Sequence, residues 1–202
     1  MSLVFTARGI NNNFADSLRK IGESGNSKLL VLLGEVGVPF DIHNHTNHAS
    51  STVLLDRTLR AVEKSNLDHT IWNYSPQNTQ LAGDNWNGED LSIRSKTSNR
   101  GLLSVVRPFA VEVSPGVNFF NQEFNPKNAA KKYTLSIICR TIGIKRIFIY
   151  LPQFHFSTSE IKVMKTSGRV KSNNKKQELQ WEGILCDGEN QRHQIEISNI
   201  LV

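Results

Sequence analysis

Five consecutive apolar residues, Leu29-Leu30-Val31-Leu32-Leu33, stop abruptly at Gly34-Glu35-Val36-Gly37. A run that short is not an amphipathic helix, and without polar alternation it is not a strand with one wet face. It suits a strand buried on both faces, as in a parallel sheet covered by helices. Parallel strands need crossover connections, and the chain supplies one. From Ser51 to Ser65 the spacing of Leu55, Leu59 and Val62 predicts a helix. Ser50 or Ser51 is placed to cap it, and Arg57, Arg60 and Lys64 fall on its water side. A second buried strand, His69 to Tyr74, and a long polar loop from Ser75 to Asp90 follow. Strand, helix and strand with short connections make a βαβ unit. A shorter helix over residues 14–23, with Phe14, Leu18 and Ile21 on one face, precedes it.

Beyond residues 100–106, whose pattern is helical up to Arg107-Pro108, the character changes. Short alternating segments recur around Val111–Val113, Thr134–Cys139, Arg146–Leu151, Glu160–Met164, Gln177–Trp181 and Gln194–Ile197, separated by Gly, Pro, Asn and Ser. Strands at that spacing predict an antiparallel β-sandwich. The expected fold is therefore α/β over residues 1–106 followed by an all-β domain over 107–202. Charge divides the same way. Residues 1–100 hold ten Lys/Arg and ten Asp/Glu, so the net charge of +6 lies in the second half.

Several function classes drop out. No run of eighteen apolar residues spans a bilayer, and the first residues lack the pattern of a signal peptide. Two cysteines, Cys139 and Cys186, build no disulfide framework and no zinc site, so a reduced, cytoplasmic protein without cofactor is expected. His43, His45 and His48 share one polar loop whose spacing fits no metal signature, and they read as solvated. The basic stretch Lys162 to Lys176 reads as a solvated face that guards strand edges, not as a nucleic-acid platform.

Two places remain for chemistry. Glu35 follows the first strand, where parallel α/β folds keep their catalytic groups, although an arginine or backbone amides would satisfy it equally well. Trp72 holds the matching place on the second strand, as core residue or as a stacking surface for a ring. The next loop packs Gly83-Asp84-Asn85-Trp86-Asn87-Gly88-Glu89-Asp90 into eight residues. That density suits a functional loop, and it also suits a solvated turn closed by Asn-Gly with Asp84 and Asp90 capping their neighbours.

Taken together, these residues resemble the C-terminal part of a glycoside hydrolase family 5 enzyme, in the endoglycoceramidase-related branch that includes fungal steryl-β-glucosidases. Leu32 to Asp41, Thr70 to Pro76 and Gly83 to Ile93 carry the likeness in the barrel. Arg107-Pro108-Phe109, Ile147 to Phe156 and Gln177 to Gly183 carry it in the sandwich. The resemblance implies the last two βα units of a (β/α)8 barrel, followed by a β-sandwich. It also implies a retaining mechanism on a β-glucoside or glycolipid, with Glu35 as nucleophile. Trp72 would lie under the sugar, and Asn73, Tyr74, Asp84, Trp86, Asn87 and Glu89 would line the substrate.

One part of the family pattern is missing. The acid/base glutamate of the fourth barrel strand sits in an Asn-Glu-Pro type segment. None occurs here, and Glu23 is the only glutamate before Glu35. A full barrel takes ~250 residues. The chain is thus expected to be a truncated part, inactive alone and completed by a separate N-terminal barrel half. The alternative is a non-catalytic sandwich that binds a partner protein, a glycolipid or a membrane surface.

Overall fold

The computed structural model describes residues 3–4, 16–20, 31–41, 48–65, 67–127, 129–156, 161–173, 175–185 and 191–200. The chain divides into two compact units, Met1–Val105 and Val106–Val202.

In the first unit, β1 (Leu3–Val4), β2 (Leu32–Gly37) and β3 (Asp68–Ile71) form a parallel sheet in that order. Residues 16–20 are helical (α1), and the 16-residue helix α2 (Ala49–Lys64) is the crossover between β2 and β3. The expected stripe is there: Leu55, Leu59 and Val62 are each 1% exposed. They pack with Leu18, Leu54, Val36, Val38 and Phe40 into one core. A short helix, α3 (Leu102–Val105), closes the unit.

Four details depart from the sequence reading. Leu29 and Leu30 lie outside the described residues; the strand begins at Leu32 and runs on through Glu35 to Gly37. It is not buried on both faces, because Leu33 packs toward the helix core while Leu32 is 59% exposed on the other side. Helix α2 starts two residues before Ser51, so Ser50 and Ser51 lie in its first turn. Its N-cap is His48, which offers no side-chain cap; the backbone N–H and hydroxyl of Thr52 both donate to the His48 carbonyl. Arg60 is drawn inward, where it donates to the buried carboxylate of Asp56 at 3.0 Å, while Arg57 and Lys64 stay in water.

The second unit is an antiparallel sandwich. One sheet holds β4 (Phe109–Val113), β7 (Gly143–Tyr150), β10 (Glu178–Leu185) and β9 (Arg169–Asn173), in that spatial order. The other holds β5 (Val117–Phe124), β6 (Tyr133–Cys139), β11 (Gln191–Asn199) and β8 (Ile161–Lys165). Strict alternation buries Tyr133, Leu135, Ile137 and Cys139 from β6 and Ile195 and Ile197 from β11. Across from them lie Ile147 and Ile149 of β7 and Leu179 and Trp181 of β10. Trp181 is fully buried. Its indole N–H donates to the Ser167 carbonyl at 3.0 Å, and its ring centroid lies 5.5 Å from that of His193. The turn that carries Ser167 reverses at Gly168, whose φ of +81° favours glycine. Arg107 is buried in this unit, donating to the Phe124 carbonyl with its guanidinium over the Phe124 ring. Burial raises the Cys139 thiol above its ordinary pKa, an effect that nearby Lys145 partly opposes.

Candidate functional site

Glu35 is half-buried, and it lies inside β2, not beyond it. Its position depends on an irregularity in the pairing. Leu33 faces His69 and Val36 faces Ile71, so Gly34 and Glu35 together oppose the single residue Thr70. That is a β-bulge, a device that re-aims a side chain. Plain alternation would put Glu35 on the same side as Leu33. The extra residue lets Leu33 and Val36 both pack into the helix core and releases Glu35 from it. The Thr70 hydroxyl donates to the Gly34 carbonyl and holds the bulge in place.

Trp72 follows β3 directly, and its backbone N–H donates to the Val36 carbonyl at 2.9 Å, one residue from Glu35. This approach needs Gly37, since a Cβ there would stand 2.0 Å from the Trp72 carbonyl oxygen. The Trp72–Asn73 peptide is cis. The indole of Trp72 is held from the following loop. Its N–H donates to Glu89 at 3.3 Å, and Trp86 meets it edge-on at a centroid distance of 5.7 Å. Asn87 donates to the same Glu89 carboxylate. Trp72, Trp86, Asn87 and Glu89 thus form one open cluster, with Trp86 63% exposed. Tyr74 is also exposed, its hydroxyl accepting from Arg94 at 3.4 Å.

Asp84 and Asn73 lie inward of that cluster. Asp84 is 1% exposed and accepts from the Asn73 and Asn78 side chains at 2.8 Å each. It also accepts from the backbone N–H groups of Leu91 and Ser92 at 3.1 Å each. It therefore organises the loop and fixes the residue next to Trp72. Asn78, Asp90 and Arg100 extend the network; Asp90 belongs to the loop that the sequence marks as dense, while Asn78 and Arg100 did not stand out there. Asn78 donates to Asp90 at 2.8 Å, and Asp90 is paired with Arg100 at 2.6 Å with both side chains buried. Arg100 in turn donates to the Ser92 carbonyl and covers the Phe40 ring at 4.7 Å. The loop buries two acids, Asp84 and Asp90, and one base, Arg100, and residues so far apart in sequence show no periodicity.

Among the described residues no group of three or more His, Cys, Asp or Glu is arranged to hold a metal ion. His43 and His45 lie outside those residues, and the ring of His48 meets Phe40 edge-on. Two cavities of about 230 and 250 Å³ open on the sandwich, and no residue of the Glu35–Trp72 cluster lines either. Glu35 is thus next to Val36, whose carbonyl accepts the backbone N–H of Trp72 on the neighbouring strand.

No family model matches the chain. It is similar to a glucosylceramidase of Rhizopus delemar, 29% identical over 196 residues, covering 82% of this chain and 28% of that protein. It is also similar to the ergosteryl-beta-glucosidase of Saccharomyces cerevisiae, 25% identical over 76% of this chain and 29% of that protein. The chain therefore spans less than a third of the length of these relatives. The sterylglucosidase 1 of Cryptococcus neoformans shares the fold, with a TM-score of 0.73 and 23% identity over 83% of this chain and 28% of that one. The endo-glycoceramidase II of Rhodococcus sp. aligns over 93% of this chain and 36% of its own, with a TM-score of 0.57 and 13% identity.

Proposed function

We propose that this chain, which resembles the C-terminal part of a steryl-β-glucosidase-like member of glycoside hydrolase family 5, carries one wall of a retaining β-glucosidase site. Its substrate would be a glucosylated lipid. The observation that carries this reading is the two-residue bulge that turns Glu35 out of the core beside Trp72. Glu35 is the nucleophile. A carboxylate oxygen attacks the anomeric carbon, the bond to the aglycone oxygen breaks, and a glucosyl ester forms on Glu35. The departing oxygen takes its proton from a second carboxyl group roughly 5–5.5 Å away, which then activates the water that frees the sugar. Trp72 is the floor for the glucose ring, kept in place by Glu89 and Trp86.

No Asn-Glu-Pro segment occurs among these 202 residues, and in this reading the acid/base group is supplied by a barrel segment outside them, on the same polypeptide or on another. One carboxylate cannot serve as nucleophile and leaving-group acid in the same step, and loss of general acid catalysis alone costs typically 10²–10⁴-fold. The chain alone is therefore expected to leave steryl and aryl β-glucosides intact. Supplied with the N-terminal barrel half of a relative, it should form a stable ester with a 2-deoxy-2-fluoro-glucoside. Peptide mapping then decides the assignment. Label on Glu35 that vanishes in Glu35→Gln supports it; label on Asp41 or Glu89 overturns it.

A further inference from the structure

The sandwich places its basic run along a single edge. Strand β8 is the last strand of one sheet and β9 the last strand of the other. The two are consecutive, joined through the turn at Gly168. Lys162 alternates with the core-facing Val163 and Lys171 with the core-facing Val170, so they leave from the outer faces of the two sheets, about 10 Å apart, and their long stems can turn their charge toward the shared edge. From Ile161 to Gln177 there is no acidic residue. Lys162, Lys165, Lys171, Lys175 and Lys176 are all exposed, and none has an ion-pair partner among the described residues. Arg169 differs. It shares Glu182 with Arg146, and hydrogen bonds from these two arginines, Arg146 foremost, hold the Glu182 carboxyl below its ordinary pKa.

Lysines do protect edge strands from pairing with another chain, but that role needs charge on the strands themselves. Lys175 and Lys176 lie beyond the end of β9, in the turn toward β10, where there is no strand to protect. The unneutralised charge thus exceeds what edge protection requires. The same edge exposes Met164, with 51% of its surface open, between Lys162 and Lys165. Among the described residues this edge offers no exposed aromatic ring, and Arg169 is already engaged by a carboxylate.

We infer that the β8–β9 edge is a docking surface for an anionic lipid bilayer. Uncompensated lysine point charges match the diffuse negative potential of such a surface, and an apolar side chain among them suits the headgroup layer. Stacking rings and free arginines, which single-stranded nucleic acid would use, are missing from the described residues of this edge. The inference stands on the sandwich alone and is independent of the role of Glu35.

Sedimentation of the full chain with vesicles tests it. The chain should bind vesicles made of equal parts phosphatidylserine and phosphatidylcholine, and not vesicles of phosphatidylcholine alone. Binding should collapse between about 0.1 M and about 1 M salt as the Debye length shrinks. The double variant K171Q/K175Q should weaken partitioning by about tenfold or more, and the charge-matched K64Q/K96Q by less than about twofold. All of these lysines are exposed, so circular dichroism should show both variants folded. Equal binding to neutral vesicles, or equal losses in the two variants, would overturn the proposal. Tighter binding to a single-stranded RNA oligomer than to the anionic vesicles would replace the lipid with nucleic acid.

Discussion

Asp84 shows how little a loop residue's type says about its direction. An acid between Gly83 and Asn85, near two tryptophans, reads as a substrate contact, yet its carboxylate turns inward and serves four donors within the protein. Loop composition does not separate an acid that faces out from one that faces in. The difference has consequences, since stranding a buried donor costs roughly 1–3 kcal/mol. Asp84→Ala should therefore loosen residues 73–92 and free the Trp72 backbone, read as faster amide exchange there with β6 and β11 unchanged. His193 works through charge. Burial holds its imidazole below the ordinary value of 6.5, so the folded state resists the proton that the unfolded chain accepts. Its contribution is complete above about pH 6.5 and fades as pH falls through the lowered folded-state pKa. The thermal midpoint of the sandwich should drop on mild acidification below about pH 6.5. In His193→Gln that slope should flatten.

At the scale of elements, periodicity was legible where packing enforces it. Helix α2 could be read because Leu55, Leu59 and Val62 must meet one core. Leu59→Ala should cost about 2–5 kcal/mol, measurable as a lower denaturation midpoint of the first unit. Strands β5 and β9 escaped notice for opposite reasons. In β5 the register shifts between Phe119 and Asn121, which breaks the two-residue period. In β9 only Val170 packs on the core, so an edge strand reads as a polar loop. The bulge in β2 was hidden in the same way: a sequence shows Gly34-Glu35 but not that both oppose one partner residue. The sequence placed Glu35 just after the strand, whereas the pairing register carries the strand through it to Gly37.

For the molecule as a whole, the two units differ in what protects them. The first buries its core beneath a single long helix on a three-stranded sheet. Among the described residues, the second closes a core of thirteen buried hydrophobic residues between two four-stranded sheets. Its only described thiol, Cys139, is fully buried. The indoles are split between these environments: Trp72 and Trp86 stand partly in water in the first unit, and Trp181 is sealed in the second against His193. The protein therefore carries two optical reporters without any label. Emission from Trp181 should be blue and dimmed by protonation of its histidine neighbour, while that of Trp72 and Trp86 should be red and open to iodide. Heating Leu59→Ala should disturb the red, iodide-quenched signal first and leave the blue one in place until the sandwich itself gives way.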